Sequence, residues 1–176
     1  MKGYATMDWI DSAGGTRETM SKLKIGGIMQ NANLAQVGVM SIPDRPGVAG
    51  TALRSLAQAG INVQFIVQCI DLQNRDHIIC CVAKEEGNKA AAVLEKIMGE
   101  LGAQKIVYEP DVAIVSIFGP DFREIPGIAG AMFSALASAG INILAISTSI
   151  STLSCVILAD KVEAAIRALR EAFELP

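Results

Sequence analysis

Two short segments of the sequence have the composition of a ligand-binding turn at the start of a helix. They read PDRPGVAG, from Pro43 to Gly50, and REIPGIAG, from Arg123 to Gly130. Proline suits the first turn of a helix because its missing N–H would have no partner there, and glycine lets a ligand approach the backbone. The unpaired N–H groups of such a turn attract an anion, so each segment predicts a carboxylate site.

Polar side chains near these turns extend the predicted chemistry. Asp44 lies in the first turn, where its carboxylate can hold an ammonium group, and the two receptors together describe a pocket for an α-amino acid. Gln68 falls inside an apolar run, where an amide needs a polar partner. Asn62 and Asn142 each follow a Gly-Ile pair, and such an Asn either favours the turn or faces a ligand. Ordinary helix initiation with a capping acid is the alternative interpretation of the same residues.

Most other chemistry finds no support in the sequence. There is neither a G-x-x-x-x-G-K-[ST] phosphate loop nor a G-x-G-x-x-G motif after a strand. His77 is the single histidine, so we expect neither a histidine metal cluster nor a Ser-His-Asp triad, and we predict that His77 is an exposed hairpin residue. We expect no cofactor, no metal and no catalysis by this chain alone. The cysteines lack C-x-x-C spacing and are predicted to be buried or half-buried strand thiols of a reducing compartment: Cys69, Cys80, Cys81 and Cys155.

Composition and charge limit the partners. A net charge of −3 without a basic cluster argues against nucleic acid. No apolar run reaches the roughly 18 residues of a membrane helix, and the N-terminus lacks the continuous apolar segment of a signal peptide. We therefore expect a cytoplasmic protein with neither a nucleic-acid nor a membrane partner.

The two turns belong to an internal repeat. Pro46–Val63 and Pro126–Ile143 match at ten of 18 positions, and repeats of this kind indicate a duplicated structural unit. In the first copy, hydrophobic periodicity predicts two helices, 47–59 and 87–101, both with one apolar face. Four alternating or β-branched runs predict strands at 35–42, 61–70, 77–83 and 103–109. The order βαββαβ is the ferredoxin-like arrangement.

The second copy lacks its last strand. It has strands predicted at 112–118, 141–150 and 152–158 and helices at 127–139 and 161–175, and it would leave a sheet edge unpaired. The run Lys24–Gln30 can supply the missing strand. The predicted fold is therefore α+β, with two ferredoxin-like βαββαβ domains in tandem and the first inserted into the second. The predicted divisions are 34–109, 24–31 plus 110–176, and a flexible tail over 1–23.

The run PDRPGVAGTALRSLAQAGINVQFIVQ, with GINILAISTSI and RALREAFEL, resembles the tandem ACT regulatory region of aspartokinases. It looks most like the form that is also made as a separate β subunit. The resemblance extends over about Ile25–Leu175; the helix-opening motif is general to ACT domains, whereas IVQ, ISTS and ALREAFEL are typical of aspartokinases. It implies a regulatory chain that binds L-threonine, L-lysine or both and feedback-inhibits aspartate phosphorylation by a catalytic chain or domain.

The resemblance also implies a homodimer, in which the first ACT unit of one chain lies beside the second unit of the other. Effectors would bind at that interface, and the residues implied as the ligand shell are Asp44, the backbone of Gly47, Val48 and Ala49, Gln68, and Asn142 with Ile143. The second unit departs from the family pattern, since Glu124-Ile125 replaces Ser-His and Ile150 replaces an acid. These departures weaken the case for a second effector site.

Two other functions remain open from the sequence. One is a free-standing tandem ACT sensor of amino acids that controls a transcription regulator or another biosynthetic enzyme. The other is a small enzyme or a purely structural dimerisation module. An amino-acid binding screen would separate the sensor from the structural module.

Overall fold

A computed structural model describes residues 22–120, 122 and 125–176. The predicted tail 1–23 lies outside them except for its last two residues. The helices are Val48–Gln58 (α1), Gly87–Leu101 (α2), Ile128–Ser138 (α3) and Val162–Ala172 (α4). The strands are Leu23–Lys24 (β1), Gly27–Pro43 (β2), Phe65–Ile70 (β3), Arg75–Ala83 (β4), Lys105–Phe118 (β5), Ala145–Thr148 (β6), Thr152–Leu158 (β7) and Phe173–Glu174 (β8).

Two long strands, β2 and β5, join the repeats into one sheet. The six-stranded sheet has the order β3-β4-β2-β5-β7-β6. The beginning of β2, residues 27–31, pairs antiparallel with residues 114–118 of β5, and its later part, 36–40, pairs with 105–109. Each half of the sheet therefore has the strand order of a ferredoxin-like unit. The second repeat obtains its fourth strand from the segment before the first repeat, and the predicted α+β fold of two βαββαβ units is confirmed.

The ends of several elements differ from the sequence prediction. The predicted strand Lys24–Gln30 is divided: Lys24 pairs in parallel with Glu174, and β2 begins at Gly27. The last helix was predicted to continue to residue 175, but α4 ends at Ala172 because the chain then extends as β8. The predicted strands over 61–70 and 141–150 are shorter, and the residues after each Ala-Gly turn form loops before β3 and β6.

Helices α1 and α3 are built alike because the same residue pattern recurs. Their buried positions are four residues apart: Val48, Ala52 and Leu56 in α1, and Ile128, Met132 and Leu136 in α3. Both helices end at a glycine with a left-handed backbone, Gly60 with φ 76° and Gly140 with φ 69°. The next residue closes a Schellman motif: the N–H of Ile61 donates to Leu56 O at 3.0 Å, and Ile141 does the same to Leu136.

Each repeat has its own core between its helices and its half of the sheet. A third cluster consists only of strand residues, and Cys81 alternates in β4 with Cys80 and Val82, which face the helices. This cluster therefore lies on the side of the sheet opposite the helices. Strand β3 also contacts β6, although the two strands are at opposite ends of the sheet order. The sheet consequently curls. The third cluster contains Leu34, Phe65, Cys81, Val112, Ile114, Ala145 and Val156.

Candidate functional site

The two helix starts have the geometry that a backbone anion site requires. The residue before each helix is a glycine in the left-handed region, Gly47 with φ 98° and Gly127 with φ 94°. Within residues 22–120, 122 and 125–176, no side chain caps the first turn of either helix. A Cβ atom added at either glycine would meet no described residue within 4 Å, so the described surroundings leave space beside both turns. The first-turn amides can therefore reach a ligand.

The first turn opens onto a cleft of about 410 Å³ between the start of α1 and the neighbouring strands. All five residues that the sequence predicted from the first repeat line it: Asp44, Gly47, Val48, Ala49 and Gln68. This volume is at the lower end of the roughly 300–1,000 Å³ that is typical of small-molecule sites. Asp44 is exposed at its rim, so a carboxylate and the helix amides face the same space.

Asp76 also lines this cleft and was missed by sequence reasoning. It is 1% exposed, and its Oδ1 accepts a hydrogen bond from Gln68 Nε2 at 2.8 Å. Gln68 is itself exposed, so its amide contacts both solvent and the buried carboxylate of the adjacent strand. The segment DLQNRD, residues 71–76, favours a turn, and the strand was therefore predicted to begin only at His77. Asp76 was accordingly assigned to the turn and not to the strand. The sequence did contain one signal for it: Asp76 continues the alternating pattern of the buried strand residues Ile78 and Cys80.

Arg45, the basic residue of the first turn, also lines the cleft, but its guanidinium group is bonded at the end of α2. Its Nη2 donates to the carbonyl oxygen of Glu100 at 2.7 Å, near the end of α2. Carbonyl groups in the last turn of a helix lack intrahelical partners, and a guanidinium there stabilises the helix end. The bond leaves the carboxylates of Asp44 and Asp76 as the acidic groups of the cleft.

The remaining predicted site residues lie in the second repeat. Asn142 is exposed in the loop after α3, and Ile143 is half-buried against the second core. Neither lines the cleft beside Asp44. A single chain therefore does not bring Asn142 and Ile143 to the first-repeat cleft, and whether a partner chain does so stays a prediction.

The equivalent cleft of the second repeat has different chemistry. It occupies about 310 Å³ beside Gly127, and Thr148 takes the position that Gln68 has in the first. Its lining combines apolar side chains with hydroxyl groups, and none of these residues is acidic: Phe122, Ile125, Pro126, Gly127, Ile128, Ala129, Thr148, Ser149, Thr152 and Leu153. The two clefts share their backbone and differ in their side chains.

His77 lies in a hairpin as predicted, but His77 and Cys69 both differ from the prediction in their exposure. The side chain of His77 is 19% exposed, and its Nε2 lies 3.0 Å from Asp71 Oδ2. Its Nδ1 accepts a 3.4 Å bond from the backbone N–H of Ser41, which places the proton of the neutral ring on Nε2. The hydrogen bond from His77, with those from the Arg75 and Gln73 backbone, lowers the pKa of Asp71. Cys69 is exposed because β3 is an edge strand.

The other thiols are buried as predicted. Burial raises the pKa of Cys80 to about 11 and that of Cys155 to about 12, and the neighbouring Cys80 adds to the effect of burial at Cys81, whose pKa is also about 12. In the described part of the chain, no three His, Cys, Asp or Glu side chains are placed to hold a metal ion. In the same part, no helix is long and apolar enough to cross a membrane.

Comparison with known proteins agrees with the fold. The ACT domain family model matches residues 37–98 and 115–173, one segment in each repeat. The aspartokinase of Thermus thermophilus is 37% identical over 153 residues, which are 86% of this chain and 38% of that protein. The aspartate kinase of Pseudomonas putida is 37% identical over 174 residues, 99% of this chain and 41% of that protein. The chain thus spans about two fifths of the length of these relatives.

Solved structures give the same result. The ligand-free regulatory subunit of aspartate kinase from Thermus thermophilus has a TM-score of 0.76 at 37% identity, covering 85% of this chain and 99% of that one. The aspartate kinase of Synechocystis has a TM-score of 0.80 at 35% identity, covering 86% of this chain and 28% of that one. The chain belongs to the ACT domain family, with one ACT domain in each repeat. Within that family it resembles the regulatory subunits of aspartate kinases.

Proposed function

We propose that this chain is the amino-acid-binding regulatory part of an aspartate kinase, and that it mediates feedback inhibition of aspartate phosphorylation by threonine, lysine or both. The observation that carries the proposal is the convergence of the α1 amides, Asp44 and Gln68 on one cleft. Helix amides bind the α-carboxylate of an amino acid, and Asp44 binds its ammonium group. The catalytic domain that responds is part of the same polypeptide or of a separate chain.

A second copy of the chain completes this site in the proposal. Strands β3 and β6 are the edges of the sheet and expose apolar side chains, among them Ile66, Ile70 and Ile146. Exposed edges of this kind favour pairing with another chain. In the homodimer, the loop of Asn142 and Ile143 closes the first-repeat cleft of the partner chain.

A ligand held between two chains inhibits by stabilising one arrangement of the dimer. It binds the paired state and not the separated chains, so it shifts the equilibrium by mass action. At 100 times its dissociation constant the shift is about 2.7 kcal/mol. This is sufficient for allosteric control, because coupling free energies between sites are typically about 1–3 kcal/mol.

Thermal denaturation of the full chain with L-threonine or L-lysine tests the proposal. One kcal/mol raises the Tm of a protein of this size by about 2–4 °C, so a saturating effector should raise it by about 5–10 °C. Asp44→Ala should fold normally and lose most of this increase. Asp111→Ala is the matched control, since it removes an exposed acid that pairs with Lys84 at 2.9 Å, outside the cleft. A full increase in Asp44→Ala would contradict the assigned pocket.

A further inference from the structure

We propose that Asp76 determines the specificity of the first-repeat cleft and selects an amino acid whose side chain ends in an ammonium group. The inference rests on the proposed function and narrows it. It assigns to Asp76 the far end of the ligand, whereas Asp44 and the helix amides hold the α-ammonium and α-carboxylate groups.

The carboxyl group of Asp76 is buried and only half satisfied. Its Oδ1 accepts the bond from Gln68, whereas Oδ2 has no donor among residues 22–120, 122 and 125–176. The residue is 99% inaccessible, yet it belongs to the lining of the cleft. A buried carboxylate oxygen is unfavourable until a donor reaches it. Because Asp76 belongs to the lining of the cleft, a ligand bound there can supply that donor.

The basic side chains nearest to Asp76 in sequence and in the cleft have other partners. Arg45 donates to Glu100 O, and Nη1 of Arg75 lies 3.5 Å from Ser41 O. His77 alternates to the other side of β4 and bonds Asp71. In the described part of the chain, no ion pair includes Asp76. Its charge is therefore available to a ligand.

An ammonium group fits this position better than a hydroxyl group. It brings a compensating positive charge and three donors, and charge-assisted hydrogen bonds are about twice as strong as neutral ones. Gln68 fixes the carboxyl group through Oδ1, so Oδ2 is held in place before the ligand arrives. With Asp44 at the turn and Asp76 within the strand, the cleft has two acids for the two ammonium groups of a diamino acid.

In the described part of the second cleft, the equivalent residue is not an acid. Strand register makes Ser151 the equivalent of Asp76, since Phe65 opposes Cys81 in the first repeat and Ala145 opposes Val156 in the second. Ser151 is exposed and is not part of the lining of its cleft. Among the described residues, only the first repeat places a buried acid at this position, and Ser151→Ala provides a matched control.

Calorimetric titration of the full chain with L-lysine, L-norleucine and L-threonine tests the inference. Norleucine has the lysine side chain without its ammonium group, so wild type should bind lysine about 10- to 100-fold more tightly than norleucine. Asp76→Asn retains an acceptor for Gln68 and removes the charge. Asp76→Asn should weaken the binding of lysine by a similar factor and change the affinity for norleucine less than about threefold. Ser151→Ala should leave both affinities unchanged.

The outcomes separate the two proposals. Equal affinity of the wild-type chain for lysine and norleucine would overturn the role of Asp76. This comparison uses no variant, so it does not depend on whether Asp76→Asn folds. Tight binding of threonine that Asp76→Asn does not alter also overturns it, while the proposed function stands. A wild-type chain that binds none of the three probes overturns both. Preference for lysine that is lost in Asp76→Asn and in Asp44→Ala supports both.

Discussion

Gly47 and Gly127 lie 80 residues apart and adopt the same left-handed conformation at the start of equivalent helices, with φ angles of 98° and 94°. Their carbonyl groups make the same bond, to the N–H of Thr51 and of Ala131, at 2.9 Å in each case. The backbone of the candidate site is therefore duplicated. Differences between the two clefts must come from side chains.

This duplicated turn gives the first prediction. Gly47→Ala or Gly127→Ala should destabilise the protein by about 1–2 kcal/mol, because a Cβ atom disfavours the left-handed region. The cost is conformational, since the added atom meets no neighbour within 4 Å in the described part of the chain. Urea denaturation measures it. Gly50→Ala and Gly130→Ala, in the helices that follow, are the controls and should stabilise by about 0.5–1 kcal/mol; equal effects at both pairs of positions would contradict the argument.

The repeat was readable from sequence because helix signals are local. Apolar residues spaced by four and the glycine after the last turn define α1 and α3 within a few neighbouring positions, and the predicted bounds differ from the structure by one residue at each end. Pairing between distant segments is different. The parallel pairing of β1 with β8 joins residues about 150 positions apart, and no local sequence pattern predicts this pairing.

The site was only partly readable for the same reason. Asp44 and the glycine turn are contiguous, so their chemistry is visible in one short segment. Asp76 reaches the cleft only through the register of β3 against β4, in which it opposes Ile70. Cys69 was predicted to be buried from its apolar neighbours, but an edge strand without a covering helix leaves it exposed. Tertiary placement decides both cases.

The exposure of Cys69 predicts how the four thiols react. In the native chain, one thiol should react readily with a disulfide reagent at about pH 8, because Cys69 is exposed to the reagent. Cys80, Cys81 and Cys155 should react only after unfolding, since they are buried and their pKa values are about 11, 12 and 12. Cys69→Ser should abolish the fast reaction. Fast labelling of two or more thiols in native protein would show that the buried cluster is more open than described.

Acid should weaken the β3–β4 hairpin through Asp71. Its pKa is lowered mainly by the hydrogen bond from His77. A lowered pKa in the folded state means that Asp71 contributes stability above its ordinary pKa and that this stability is lost as the pH falls through the lowered value. NMR titration of the Asp71 carboxyl group measures the shift. His77→Asn should raise the pKa of Asp71 toward its ordinary value, and an unchanged titration would show that the backbone bonds alone account for the shift.

The last prediction concerns the edges of the sheet. Ile66 and Ile146 occupy equivalent positions on β3 and β6 and are 39% and 38% exposed. If these edges form the homodimer, Ile66→Lys or Ile146→Lys places a charge in an apolar contact and should raise the dimer dissociation constant about tenfold or more. Sedimentation measures this change. Effector affinity should fall in parallel, because a ligand that binds the dimer is linked to dimer formation.

Leu158→Lys is the matched control for both edge variants, since Leu158 is also 39% exposed but lies at the end of β7, away from the edges. This substitution should leave the dissociation constant of the dimer and the affinity for the effector unchanged. A dimer that resists both edge substitutions would place the interface elsewhere, and effector binding by a fully monomeric variant would show that one chain forms the site alone. Loss of dimer and effector binding together, in the edge variants only, connects the exposed edges with the cleft beside Gly47.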